Sequence, residues 1–161
     1  MSEPLWLTFA HRYLGMKEIP GAPTAPFIAG FLKSLKAWWA DDETPWCGTF
    51  VAACMQYASI EPPKAWYRAK AWLDWGQALD LPTAGCVVVF DRKGGGHVAI
   101  LLGKDASGRL VCLGGNQGNA VSRAAFDRTR ALGFRWPSGE KPAVASLPLL
   151  AVSGPVSSNE A

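Results

Sequence analysis

The sequence predicts an α+β fold, with helices in its first half and an antiparallel sheet of about five strands in its second. Three observations carry this. Before residue 77 apolar positions recur at helical spacing, beyond Pro82 the period becomes extended, and the extended runs are separated by turn-rich connectors that chain them into a meander. At 161 residues with 49% apolar content, the chain can bury the core of one domain.

Residues 4–15 (PLWLTFAHRYLG) place Leu7, Ala10 and Leu14 on one helical side and end on Gly15. EIPGAPTAP, residues 18–26, holds three prolines and a glycine and reads as an irregular connection. Phe27 to Trp39 reads as a second helix, with Phe31, Leu35 and Trp38 on one side. Asp41, Asp42, Glu43 and Thr44 then cluster where acidic groups and a hydroxyl suit a helix N-terminus. Trp46 to Ala58 is the clearest helix, because Cys47, Phe50, Val51, Cys54 and Ala58 follow the i, i+3, i+4, i+7 rule. Ala65 to Gly76 reads as a further helix. The predicted strands are Cys86–Phe90, His97–Leu102, Arg109–Leu113, Ala120–Ala125 and Leu132–Trp136, with DRKGGG as the turn between the first two. The predicted domain spans 1–138. Residues 139–161, rich in Ala, Pro, Ser and Val, read as a tail.

Composition narrows the function. Charged residues are 18% of the chain, below the ~25% of typical domains, and the net charge of +3 is scattered, which argues against a nucleic-acid partner. No run approaches the ~20 apolar residues of a membrane span, and the N-terminus lacks the basic start and long apolar stretch of a signal peptide. The expectation is a protein made in the cytoplasm that does not insert into membranes. The cysteines at 47, 54, 86 and 112 show neither CxxC pairs nor regular spacing, so neither zinc nor disulfides are expected.

Thiolate chemistry requires a stabilised sulfur anion, and a helix N-terminus supplies unpaired amides and the positive end of a dipole; Cys47 has that place. It also requires a base, and His97 stands at a strand start behind three glycines, Gly96 the nearest, which let substrate approach. The run LGGNQGN offers Asn116 and Gln117 as polar partners for the imidazole. The plainer readings are a buried structural cysteine, a structural histidine and a simple hairpin turn. Cys54, Cys86 and Cys112 sit in apolar runs and read as core, and His11 reads as structural. Eight tryptophans serve a core first and a ligand surface second.

The ordered set WCGTF, GGGHVAILLG, VCLGGNQGNAVS and LGFRWP resembles the CHAP and NlpC-like cysteine peptidases and amidases of cell-wall turnover. More narrowly, with AHRYLGMKEIPG and AKAWLDWG, it is similar to a small phage-associated subfamily of that superfamily. The resemblance covers residues 6–137. It implies a papain-like α+β fold in which Cys47 matches the nucleophile, His97 the base and Asn116 the polar third residue, with Gln117 the reserve. Trp46, Gly96 and Gln117 are the expected substrate-side residues. Trp46 stands where many relatives have an acidic or amide residue, which leaves the upstream oxyanion partner open among Thr44, Glu43 and backbone groups. The second departure is Gly85-Cys86, where many relatives have Gly-Asp.

The implied activity is hydrolysis of an amide in the peptide stem of peptidoglycan, by an endopeptidase or an N-acetylmuramoyl-L-alanine amidase, as a phage lysin or antibacterial effector. It needs no cofactor. The implied protein is a monomer that reaches the wall through a holin, a secretion apparatus or phage entry, with an immunity protein to look for in the effector case. The rival expectation is a catalytically silent glycan- or protein-binding module on the same scaffold, using Trp38, Trp39 and Trp72.

Overall fold

The structure is a computed structural model that describes residues 3–17, 25–39, 45–142 and 147–151. Most of the expected connection at 18–26 and the acidic cluster at 41–44 lie outside these residues.

Helix α1 (Leu5–Arg12) buries Trp6, Leu7 and Ala10. The Trp6 indole donates to the Gly85 carbonyl at 2.8 Å and meets Trp136 edge to face, tying the N-terminal helix to the sheet. Helix α2 (Pro26–Ser34) begins with proline at its first turn, where the missing N–H has no intrahelical partner to lose. It ends five residues before the sequence reading had it. Lys36 adopts a left-handed φ of 58°, and the Ala37 amide bonds back to the Leu32 carbonyl, a Schellman closure that turns the chain off the helix axis. Trp38 therefore leaves the apolar side of α2 and stands 90% exposed.

Helix α3 (Cys47–Tyr57) is buried around its whole circumference from Cys47 to Met55, as a central helix must be. It packs against α1, α2 and the sheet. The expected helix at 65–76 is only a 3-10 turn, Ala69–Asp74. Its neighbours hold it by side-chain bonds: the Trp72 indole to the Trp66 carbonyl, the Trp75 indole to the Glu61 carbonyl, and Arg135 to the Leu73 carbonyl.

Six strands form one antiparallel sheet: β1 (Gln77–Leu79), β2 (Val87–Arg92), β3 (Gly95–Lys104), β4 (Leu110–Gly114), β5 (Ser122–Phe126) and β6 (Ala131–Trp136). Their order is β1-β6-β2-β3-β4-β5. β1 is the strand the sequence reading omitted. It is three residues at an edge, and it follows Gly76, which has a φ of 66° and whose lack of a Cβ lets the backbone pass against the Trp136 carbonyl. The β2–β3 turn is tighter than DRKGGG. Gly95 pairs with Arg92 and Gly96 with Asp91, so only Lys93 and Gly94 turn. At the far end of β3 the register shifts between Leu101 and Gly103, and there Lys104 exchanges hydrogen bonds with Pro148 and Leu150. Residues 147–151 thus lie alongside the sheet.

Candidate functional site

Cys47 is the first residue of α3 and Trp46 its cap. The first intrahelical bond in this turn runs from the Phe50 amide to the Trp46 carbonyl, so the amides of the preceding residues have no helical acceptor. The Gly48 amide is directed at the Cys47 sulfur. So is the amide of Val98, the residue after His97 on β3. The helix start is thus docked against the His97–Val98 peptide. β4 pairs with β3 only from Ile100 onward, which leaves the start of β3 open to α3. Gly48 allows the close approach on the other side, since a Cβ there would collide with the Trp66 carbonyl oxygen.

Burial pushes the Cys47 thiol above its ordinary value; the Val98 and Gly48 amides and the Arg92 charge pull the other way without reversing it. That direction is opposite to the depression expected of a helix N-terminus alone. Burial pushes the Cys54 and Cys112 thiols well up, and that of Cys86 to about 12. All three lie in the core, as their apolar runs predicted.

His97 is fully buried. Its ring stacks on Phe126 at 5.3 Å and 21°, and Phe90, its cross-strand partner, extends the stack at 6.4 Å. Nε2 lies 2.9 Å from Oε1 of Gln117. The Gln117 amide nitrogen donates to the Ser122 carbonyl at 2.7 Å and more loosely to the Cys112 carbonyl at 3.4 Å. Those two acceptors fix which end of the carboxamide is oxygen. Because Oε1 can only accept, His97 must donate from Nε2, and the network assigns the ring lone pair to Nδ1. Gly114 makes room for this, since a Cβ there would strike Gln117 Oε1.

A cleft of about 280 Å³ opens beside Cys47, between Tyr67–Lys70 and the Arg92–Gly96 hairpin. Arg68, Lys70 and Arg92 line it, and no acidic residue does among those described. Lys70 pairs with Asp91 at 3.2 Å, and Arg92 donates to the Gly96 carbonyl.

The sequence-predicted residues fall into three groups. Cys47 and Gly96 line the cleft. His97, Asn116 and Gln117 are buried behind it, and the bond to imidazole Nε2 is made by Gln117, the reserve choice; Asn116 has a left-handed φ of 60° in the turn before it. Trp46 is 1% exposed, edge-on to Phe27 and packed over Gly115, so its ring is core rather than a substrate surface. Trp72, one of the rival's binding residues, is likewise fully buried. Of the expected oxyanion partners, Thr44 and Glu43 lie outside the described residues. The cationic lining from Arg68 and Lys70 went unread, because nothing in the spacing ties residues 67–70 to a hairpin some 25 positions later. No helix among the described residues is long and apolar enough to cross a membrane.

Residues 39–116 match the family model of the CHAP domain. The fold is similar to that of a lipoprotein-like protein of the NLP/P60 family from Staphylococcus aureus, with a TM-score of 0.51 and 17% identity over 84% of this chain. The chain spans 41% of that protein's length. No curated protein matches the sequence. A CHAP match across α3, the start of the sheet and the Asn116 turn, on an α+β fold similar to that of an NLP/P60-family protein, supports assignment of the chain to the CHAP/NlpC-like superfamily, whose members are typically cysteine peptidases or amidases.

Proposed function

We propose that the protein hydrolyses an amide bond in the peptide stem of peptidoglycan by Cys–His acyl transfer, with Cys47 as nucleophile, His97 as base and Gln117 as the residue that positions the imidazole. The observation that carries this reading is the Gln117–His97 bond, which makes Nδ1 the basic nitrogen of a ring one residue from the amide that faces the Cys47 sulfur.

Because burial disfavours a free thiolate, the proton leaves as attack occurs. His97 Nδ1 takes the proton from sulfur while sulfur bonds to the carbonyl carbon, and the carbonyl π pair moves onto oxygen. Amides of the first α3 turn, that of Cys47 first among them, serve as donors to this oxyanion; in such sites each donor is worth about 10²–10³ in rate. Collapse of the intermediate breaks the C–N bond, and the imidazolium returns its proton to the leaving amine. Water, deprotonated by His97, then attacks the thioester, releasing a carboxylic acid and restoring the thiol. The cations along the cleft suit the carboxylates that stem peptides carry.

Purified sacculi, with the released fragments identified by mass spectrometry, test this. Cys47→Ala should abolish release while leaving the fold intact, because the change removes one sulfur atom at a helix end. New amino termini within stems identify an endopeptidase, and stems freed from sugar identify an amidase. Equal release by the variant would remove Cys47 from its role.

A further inference from the structure

Each wall of the Cys47 cleft holds an arginine whose charge no acid of the described residues offsets. Arg92 stands half-buried in the hairpin wall, and its Nε donates to the Gly96 carbonyl at 3.2 Å. That bond orients the guanidinium and occupies one of its five N–H groups, while Nη2 runs past Gly95. The charge is close enough to act on the Cys47 sulfur. Arg68 stands exposed in the facing wall, its guanidinium carbon 5.9 Å from the centre of the Tyr67 ring. The third cation of the cleft is different. Lys70 lays its methylenes over Gly96, where a Cβ would come within 3.0 Å of Cγ, and pairs its ammonium with Asp91. Arg109 and Arg135 are likewise engaged, by Asp105 and by the carbonyls of Leu73 and Phe134. Arg68 and Arg92 thus face one cleft, beside the nucleophile, with their charges uncompensated.

We infer that Arg68 and Arg92 receive a substrate carboxylate that flanks the scissile amide, so that stems carrying this group as a free acid are selected over stems in which it is amidated. The inference rests on the hydrolase reading of the cleft and specifies which stems it takes. A guanidinium presents parallel N–H donors that match the two oxygens of a carboxylate. A carboxamide offers a single acceptor oxygen and turns its own NH2 donors toward those of the arginines. Discrimination therefore comes from an unfavourable contact as well as from a lost attraction. Asp91, the acid next to Arg92 in the hairpin, does not line the cleft and is held by Lys70, so it leaves the place of the anion to the substrate. With a volume of about 280 Å³, the cleft takes a short length of peptide, which keeps a carboxylate bound at its walls near the amide that meets Cys47. One exposed guanidinium holds such a group weakly; two acting from opposite walls, one of them already oriented, hold it better because less order is lost on binding.

Calorimetry on the Cys47→Ala protein tests this without turnover, using synthetic stem peptides in matched pairs that differ only in whether one branch carboxylate is free or amidated. In one such pair the free acid should bind about tenfold more tightly, and raising the salt concentration should narrow the gap. In the same background Arg92→Gln should weaken the free acid about tenfold and hardly move its amidated partner, a split that general loss of structure would not produce. Arg68→Gln repeats the measurement at an exposed residue, where folding is not at stake. With Cys47 intact, each variant should lower the ratio of kcat/KM for free-acid over amidated stems. Equal affinity within every pair, no binding of either member, or a preference that survives both substitutions overturns the inference. A protein that prefers the free acid yet leaves sacculi intact overturns the hydrolase reading alone, whereas one that cleaves and binds both members equally overturns the selection alone.

Discussion

Gln117 is where one carboxamide decides the chemistry of a neighbouring ring. Two carbonyls hold its nitrogen and the imidazole meets its oxygen. Gln117→Ala should lower kcat about 10²-fold or more with little change in KM, since the side chain is buried and meets no substrate. Gln117→Glu keeps an acceptor for Nε2 and should recover part of that activity. It deprives Ser122 and Cys112 of a donor, however, and should cost about 1–3 kcal/mol in a urea titration. The sequence pointed to two adjacent polar residues and could not choose between them, because Asn116 is left-handed and breaks the alternation by which neighbouring side chains are assigned to faces. Cys47 and His97 were legible because a helix start and a strand start have recognisable signals. What could not be read was the upward push on the Cys47 thiol, which comes from burial by residues far away in the chain. Iodoacetamide near neutral pH should still modify Cys47 first, since it lines a cleft while Cys54, Cys86 and Cys112 are fully buried in the core. Arg68→Gln should reduce the iodoacetate-to-iodoacetamide rate ratio there, as that ratio reads the cationic field of the cleft.

Among the elements, α2 and α3 show how termini place function. Both helices end on a residue with positive φ, Lys36 and Ser59, with a backbone bond closing the turn. Lys36→Gly should raise stability by about 1 kcal/mol in thermal or urea unfolding, since glycine takes this conformation without the steric penalty on a Cβ. Lysine in that place is why the sequence reading ran α2 on to Trp39: helical periodicity continued and no glycine announced a stop. Gly48 is the opposite case. Gly48→Ala would force the first turn of α3 away from Trp66, and should cost about 1–3 kcal/mol together with most of the activity. Where a helix over 65–76 is expected, only the 3-10 turn at 69–74 forms, and the indoles of Trp72 and Trp75 donate to carbonyls upstream of it.

For the molecule as a whole, the change of period near Pro82 was enough to identify helices followed by an antiparallel sheet. The order of the strands was not legible, since β6 inserts between β1 and β2 through pairings made after a long excursion of chain. The core they enclose holds three thiols whose protonated form folding favours. Their contribution is fully present below the unfolded-chain value near 9 and is lost as pH climbs through the folded values, because only the unfolded state releases the protons. Denaturant melts should therefore show stability falling from pH 9 toward 12. Cys86→Ala should flatten that fall by up to about 1.4 kcal/mol per pH unit.

Hydrogen peroxide oxidises thiolates far faster than thiols, so the burial that raises the Cys47 pKa also slows the first step of sulfur oxidation there. Folded protein exposed to peroxide at pH 8 should accumulate sulfenic acid at Cys47 more slowly than the urea-unfolded chain does at the same residue. On the proposed mechanism, burying Cys47 in this way keeps the nucleophile reduced in oxidising surroundings until a carbonyl reaches it.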